Sequence, residues 1–369
     1  MLNIAIIGMG QRGKATLKRL EYIPQANITM LCDNNPEKVS GCTSETGKYG
    51  TTILTANWQD VTGADNVDLV YICTPWDNHV QIAVEAMKAG KHVAIEVPAA
   101  MNVEHCELLV RIARWTNRHC VMLENCCYDT WHLGIKEIVR SGALGNITHL
   151  EGAYIHPVDN EWMKDQRIQH KGNPYPTHGF GPMCQLLPAN DKPASLISMS
   201  TTNGHDNTCI NDTLIKTKKG VIMLLQYDTS TPRPYNRLQT VCGTTGFAQK
   251  YPLPTLYIYN GENQAENLSL TGDEAVRYVE EHIAPEFKML IEEGRRLGVE
   301  NVMNYMMDRR LIDGLLIEKD AAEGDDGNSQ QMLVTLDTDV QEAALWSCIT
   351  ELTEMSATQD GACVHIPEF

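Results

Sequence analysis

The sequence predicts two domains. The first is an α/β domain on a doubly wound parallel sheet, residues 1–125, and the second an α+β domain with a mostly antiparallel open sheet, residues 126–369. Three observations lead there. Apolar, strand-sized runs alternate with helix-periodic segments through the first third, the pattern of βαβ units. After about residue 126 the alternation stops and β-type runs follow one another, as in an antiparallel sheet. The 369 residues also exceed what one hydrophobic core usually serves.

In the first domain, the strand-like "NIAIIGMGQRG" places Gly8, Gly10 and Gly13 in G-x-G-x-x-G spacing. A helical segment follows with Leu17, Leu20 and Ile23 on one side, then a strand, "ITMLCD", ending at Asp33. In that context each residue has a reason. Gly8 permits the tight turn, Gly10 lets the backbone approach a pyrophosphate, and Gly13 allows close helix–strand packing. The pyrophosphate rests on a helix N-terminus, where N–H groups and the dipole favour an anion. Asp33 would accept hydrogen bonds from ribose hydroxyls and repel a 2′-phosphate. "NNP" follows without an arginine, so the cofactor expected is NAD. The alternation continues with a strand "LVYICT", a helix with Val80, Ala83, Val84 and Met87 on one face closed by Gly90, and a strand "HVAIEV". Cys106, Leu109, Val110 and Ala113 mark the next helix and "HCVMLEN" the next strand. Ligands of such a Rossmann-type sheet are expected at the carboxyl ends of its strands, here Thr74 to Trp76, Glu96 to Pro98, and Glu124 with Asn125.

The second domain opens with a helix carrying Trp131, Ile135, Ile138 and Val139, closed by Gly142. Five β-type runs follow, from "NITHLEGAYIH" to "RLQTVCGTTG". Helices return from Asp273, with Val276, Val279 and Ile283 on one face, and near Gln341 to Met355. Residues 175–182, "YPTHGFGP", hold two prolines and two glycines, which argues against a helix interior or a central strand. The stretch reads as a loop, either surface or active-site wall. "EKDAAEGDDGNSQQ" (318–331) is acidic and turn-rich and reads as a solvated insertion loop rather than a binding element.

The net charge of −17 argues against nucleic-acid or anionic-membrane partners, which need clustered Lys and Arg. The apolar runs are too short to cross a bilayer. A strand starting within three residues of Met1 leaves no room for a signal peptide, which predicts a cytoplasmic protein. The 12 cysteines are scattered through apolar segments without C-x-x-C spacing, so reduced, buried thiols and no metal site are expected.

"GMGQRG", "CTPWDNH", "EVP" and the sheet domain after them resemble the glucose–fructose oxidoreductase / inositol dehydrogenase family over nearly the whole chain. Dehydrogenases of that family usually carry lysine in an E-K-P triplet, whereas Val97 occupies the middle position here and can carry no proton. "ENCCY", "GAYIH", "GNPYPTHGFGP", "DTSTPRPYNR", "GTTGFAQKYP", "AALWSCITEL" and "HIPEF" are more specific and resemble glycoside hydrolase family 109. Those enzymes are NAD-dependent α-N-acetylgalactosaminidases that also read E-V-P.

By that resemblance Gln11, Arg12, Asp33, Thr74, Trp76, Asp77, Asn78, His79, Glu96, Val97 and Asn125 would contact NAD along with the three glycines. His178 would lie beside the nicotinamide and Tyr175 would touch both cofactor and sugar. Tyr154, His156, Pro176, Thr177 and Tyr235 would line the sugar pocket, with His178, Tyr175, Tyr154 and His156 as the catalytic set. Tyr154 and His156 share a strand face by the period-2 rule. The implied reaction oxidises the sugar at C3, eliminates the glycosidic oxygen from C1, adds water and reduces C3 again. It needs no metal and no pair of carboxylates flanking the bond. A base titrating near neutrality suits His178, while the division of steps among His178, Tyr175 and Tyr154 stays open. Arg233 and Arg237 read as structural ion pairs. Met163, the 298–304 stretch and a short connection from Leu187 to Cys209 depart from the family and bear on which sugar and anomer are accepted. A sugar or polyol dehydrogenase and an NAD-binding sensor are the competing readings. The wider family suggests a homodimer, or a higher homo-oligomer, through an exposed sheet face.

Overall fold

In the computed structural model, which describes residues 1–44, 52–157, 165, 168–202, 210–261, 267–323 and 335–369, six strands form an all-parallel sheet. They are β1 (Leu2–Ile7), β2 (Ala26–Cys32), β3 (Ile53–Thr55), β4 (Leu69–Ile72), β5 (His92–Ile95) and β6 (Cys120–Met122), in the order β3-β2-β1-β4-β5-β6. Residues 69–72 are buried throughout, which is why this strand reads as an unbroken apolar run. The crossovers carry α1 (Gln11–Leu20), α2 (Pro36–Ser44), α3 (Trp58–Thr62), α4 (His79–Lys88) and α5 (Val103–Thr116). Asn102 caps α5 by accepting the His105 N–H at 2.8 Å, and Asn117 ends it in the left-handed region. The strand order reverses between β1 and β4, so the glycine turn after β1 opens at the switch point of the sheet.

Among the described residues the second sheet has nine strands. They are β7 (Ile147–Ile155), β8 (Pro193–Thr201), β9 (Ile210–Thr217), β10 (Ile222–Asp228), β11 (Asn236–Gly243), β12 (Gly246–Gln249), β13 (Thr255–Ile258), β14 (Leu268–Thr271) and β15 (Val364–His365). Their order is β14-β13-β12-β11-β7-β10-β9-β8-β15. Among these described strands only β7 and β10 pair in parallel, so the sheet is mixed and mostly antiparallel, as expected. β9 alternates buried and exposed residues along its length, the signature of a sheet with one covered face.

The remaining helices are α6 (Thr130–Arg140), α7 (Thr177–Gln185), α8 (Asp273–Glu281), α9 (Pro285–Leu297), α10 (Val302–Glu323) and α11 (Val340–Ala357). Two expectations are corrected here. "YPTHGFGP" is not a loop: Pro176 stands at the N-cap of α7 and Pro182 lies inside it. Gly179, which read as a breaker, serves packing instead. A Cβ on Gly152 of β7 would stand 2.4 Å from the Gly179 carbonyl oxygen, and one on Gly179 would stand 2.6 Å from the Ala153 nitrogen. α7 thus rests backbone-to-backbone on β7, and that contact outweighs the local cost of Pro and Gly. The 318–331 stretch is not a loop at its start either. Residues 318–323 continue α10, whose buried Leu311, Ile312 and Leu315 put Glu318 on the same inward face, 3% exposed. The rest of that stretch, Met163 and Cys209 lie outside the described residues.

By its contacts the chain divides into two compact units. One comprises residues 1–123, 291–347 and 369, and the other residues 124–290 and 348–368. No helix among the described residues is long and apolar enough to cross a membrane.

Candidate functional site

In the first unit the turn after β1 forms a cradle of backbone. Gly8 has φ +93°, and a Cβ there would press to 2.6 Å on the Cys73 carbonyl. A Cβ on Gly13 would fall 1.9 Å from the Gly8 carbonyl oxygen. At Gly10, by contrast, an added Cβ meets nothing within 4 Å. Open space therefore lies above the N-terminus of α1, whose N-cap supplies no side-chain bond. Asp33 is buried and braces this turn, with one carboxylate oxygen accepting the Met9 N–H at 2.8 Å and the other the Asn35 N–H at 2.9 Å. Thr74 at the end of β4 holds a buried hydroxyl with no partner among the described residues. Open space over bare helix N–H groups, an acid at the end of β2 and an unsatisfied hydroxyl suit a dinucleotide.

The other first-unit residues expected at the cofactor fix the cradle's rim. Arg12 donates to Glu96 at 3.0 Å and reaches its second oxygen at 2.9 Å, linking α1 to the end of β5. Trp76 Nε1 donates to the Val97 carbonyl at 3.1 Å. His79 is wholly buried, with its ring nitrogens 2.9 Å from the Pro98 and Thr74 carbonyls. Burial lowers its pKa although both carbonyls favour the charged ring. His79 therefore pins the ends of β4 and β5 together. Asp77, Asn78 and Gln11 are exposed, and Val97 is 4% exposed.

The second unit gathers the other set. Tyr154 near the end of β7, His156 just after it, Tyr175 and Pro176 before α7, Thr177 and His178 in its first turn, and Tyr235 before β11 all belong to this unit. Tyr175 Oη lies 3.4 Å from His178 Nε2, and Tyr154 Oη lies 3.2 Å from His156 Nδ1. The Tyr154 ring meets the Tyr175 and His178 rings at centroid distances of 4.7 and 5.4 Å.

Glu124, expected only as a strand end near a ligand, and Cys126, which the sequence did not single out, complete this cluster. His178 Nδ1 lies 2.9 and 2.7 Å from the two oxygens of Glu124, a fully buried carboxylate that also accepts the Cys126 N–H at 3.1 Å. Cys126 stands close by and passes its S–H to Asn125 Oδ1 at 3.5 Å. Burial alone would lower the His178 pKa, but Cys126 and Glu124 push it up to about 10. Burial would likewise raise the Glu124 carboxyl, yet the His178 charge and the Cys126 amide hold it below its ordinary value. The titration near neutrality expected of His178 is thus corrected: a buried anionic partner keeps the ring an imidazolium. The position of Glu124 at the end of β6 was the available signal.

Beneath the cluster, Asp129 caps α6 through the Trp131 N–H and pairs with both Arg237 and Lys250. These cations push its carboxyl down to about 2 against the effect of burial. Arg233 pairs with Asp228, so both arginines have the structural partners expected of them. Two groups of donors lie within 4.8 Å of one another and could hold a metal: Glu124, Cys126 and His178, and, in the first unit, His92, His119 and Glu318. In the second group His92 Nδ1 accepts the His119 N–H, which leaves the proton of a neutral ring on Nε2, the atom that faces Glu318. The hydrogen bond to Glu318 in this group comes from His119, whose Nε2 lies 2.8 Å from Oε2, while His92 Nε2 stands 3.8 Å from Oε1.

The comparisons with known proteins bear on both units. Residues 2–124 match the oxidoreductase-family model with an NAD-binding Rossmann fold, and residues 204–369 match the C-terminal domain of glycosyl hydrolase 109. A glycosyl hydrolase family 109 protein of Phocaeicola vulgatus is 39% identical, the alignment covering all of this chain and 94% of that protein. The chain belongs to glycosyl hydrolase family 109. A second family 109 relative, from Bacteroides fragilis and named alpha-N-acetylgalactosaminidase, is 40% identical over all of this chain and 92% of its own. Levoglucosan dehydrogenase, solved with NADH and L-sorbose, shares the fold at a TM-score of 0.76 and 18% identity, covering 100% of this chain and 99% of its own. The family 109 chain is thus an enzyme of the glycosidase class with an NAD-binding Rossmann domain.

Proposed function

We propose that this enzyme is a net redox-neutral glycosidase that cleaves α-N-acetylgalactosaminides with NAD held in the cradle of the first unit. Gly8, Gly10, Gly13, Asp33 and Thr74 hold the cofactor, and Arg12 with Glu96 borders it. Bound NAD supplies a reversible hydride acceptor, so that the sugar C3 hydroxyl spends part of the cycle as a ketone. His178, charged by Glu124, donates from Nε2 to the C3 oxygen and stabilises the enolate left when the C2 proton is removed. Tyr175 and Tyr154 carry the protons taken from the C3 hydroxyl and from C2, and His156 orients Tyr154. Loss of the C2 proton expels the glycosidic oxygen from C1, water adds there, and the protons return as C3 is reduced. Tyr235, Pro176 and Thr177 line the sugar.

One observation carries this reading. Val97 fills the place of the dehydrogenase lysine, while His178 Nδ1 is held 2.7 and 2.9 Å from the two oxygens of the buried Glu124 carboxylate. A sugar dehydrogenase is the second reading, favoured by the fold shared with levoglucosan dehydrogenase. Nitrophenol release from a panel of nitrophenyl α- and β-hexosaminides and hexosides, followed together with NADH absorbance, separates the two. The glycosidase releases nitrophenol from the α-N-acetylgalactosaminide without accumulating NADH, and NADH accumulating with added NAD would select the dehydrogenase. We also infer a homodimer formed through the open sheet face, where exposed Ile197 and Leu214 lie side by side next to Leu224. A monomeric sedimentation coefficient at micromolar concentration would refute it.

A further inference from the structure

A second place in the first unit is shaped for a small molecule. A cleft of about 470 Å³ opens at the amino ends of the parallel strands, a size that small-molecule ligands occupy. Residues at or just before the starts of β4, β5 and β6 line it, together with the end of α10. The cradle lies at the carboxyl ends of the same sheet, so the length of the strands stands between the two. Local sequence puts polar side chains here. Gly90 and Asn117, both with positive φ, end the turns of α4 and α5, and Lys91, His92 and Arg118 follow them directly into the next strands.

Lys91 is only 6% exposed, and its ammonium donates to the Ala64 carbonyl. Arg118 donates from Nε to the Gly90 carbonyl at 2.7 Å and from Nη1 to the Asn117 carbonyl at 3.1 Å. Among the described residues neither has a carboxylate within ion-pair distance, so uncharged carbonyls hold both cations in place and leave them N–H groups to spare. Burial lowers the Lys91 pKa, with Asp65 and Asp68 opposing and Arg118 adding to it. The acids of the cleft are fixed too. Asp68 accepts the Asn3 N–H at 2.8 Å and Lys319 at 2.9 Å, and Glu318 is bonded to His119. Burial takes the His92 pKa down to about 3, so that ring is neutral. Lys91, Arg118 and Lys319 therefore match Asp65, Asp68 and Glu318 in number, and the lining has no net charge. An anion would meet three carboxylates here, and a cation three cationic ends. A neutral molecule rich in hydroxyls, each a donor and an acceptor, uses both sets.

We infer that this cleft is a second binding site and that it takes a neutral polyol of monosaccharide size. It stands apart from the reacting cluster and holds for a glycosidase or a dehydrogenase alike. Calorimetric titration of the holoenzyme with galactose and sorbitol tests it, with inorganic phosphate and glycine betaine as the charged and zwitterionic probes. One of the two polyols should bind. Lys91→Met and Arg118→Ala should each weaken that binding about 10-fold or more, the worth of a hydrogen bond to a charged group. The NAD content of both variants should match wild type. Arg118 is only half-buried, so its variant decides the matter if Lys91→Met does not fold. Polyol binding that ignores Arg118→Ala, or no polyol binding at all, overturns the site. Phosphate or betaine binding more tightly than either polyol, in a way that depends on Arg118, overturns the ligand class.

Discussion

In the first unit the groups offered to an anion are backbone, bare N–H groups at the start of α1 beneath the open space over Gly10, with Asp33 and Thr74 beside them. In the second they are side chains drawn from four segments, Glu124, Tyr154, Tyr175 with His178, and Tyr235. Backbone amides carry no proton that titrates in the working range, so the cradle's attraction for an anion is indifferent to pH. The side-chain cluster has a charge that depends on its neighbours, and it can move protons for the same reason. A glycosidase that leaves its cofactor chemically unchanged needs both kinds of site: one that only holds and one that exchanges.

That contrast can be broken at its strongest point by removing the ring. His178→Ala should lower turnover by about 10² to 10⁴-fold, the usual worth of general acid–base work. NAD content of the purified protein should not change. A variant that loses NAD along with activity would mean the two sites are not separable in this way. Glu124→Gln sharpens the same point. His178 is raised in the folded state, so its contribution to stability is complete below its unfolded value of about 6.5 and is lost as pH rises through about 10. Activity that needs the imidazolium falls over the same alkaline range. Without the carboxylate the alkaline limb of kcat/KM should move down toward neutrality, and a limb that stays near 10 would leave Glu124 no part in setting it.

Smaller effects belong to the cradle. Gly13→Ala drives a methyl group to 1.9 Å from a carbonyl oxygen and should cost about 1–3 kcal/mol of stability as well as NAD affinity. Gly10→Ala has room for its methyl group and should unfold near the wild-type temperature while binding NAD more weakly. Thermal unfolding with and without NAD separates the two. Equal destabilisation by both would mean the space above Gly10 is not kept for a ligand.

The two regions also differed in how far the sequence disclosed them. The cradle depends on glycines two and three residues apart and an acid at the next strand end, all within one βαβ unit, so local spacing was enough. The cluster depends on contacts between residues far apart in the chain. Tyr154 and His156 were placed on one face by strand periodicity, but the Glu124–His178 bond joins residues 54 apart and sets a protonation state no local pattern encodes. The same holds for Asp129, whose two cations come from β11 and the segment after β12. α7 was hidden for a different reason. Pro and Gly are weak helix formers, and the approach of α7 to Gly152 explains why Gly179 is there. The arginines at 233 and 237 could be read as paired, though not with whom.

The fastenings around the cradle have a kinetic meaning. His79 joins the ends of β4 and β5 through two carbonyls, Trp76 ties on the residue beside Glu96, and Arg12 bolts the glycine turn to Glu96 itself. A floor organised in advance loses little freedom when a molecule settles on it, and most of any gain in affinity from such rigidity is expressed as slow departure. A dinucleotide seated there would have a long residence time and travel with the protein from one turnover to the next, closer to a prosthetic group than to a diffusing co-substrate.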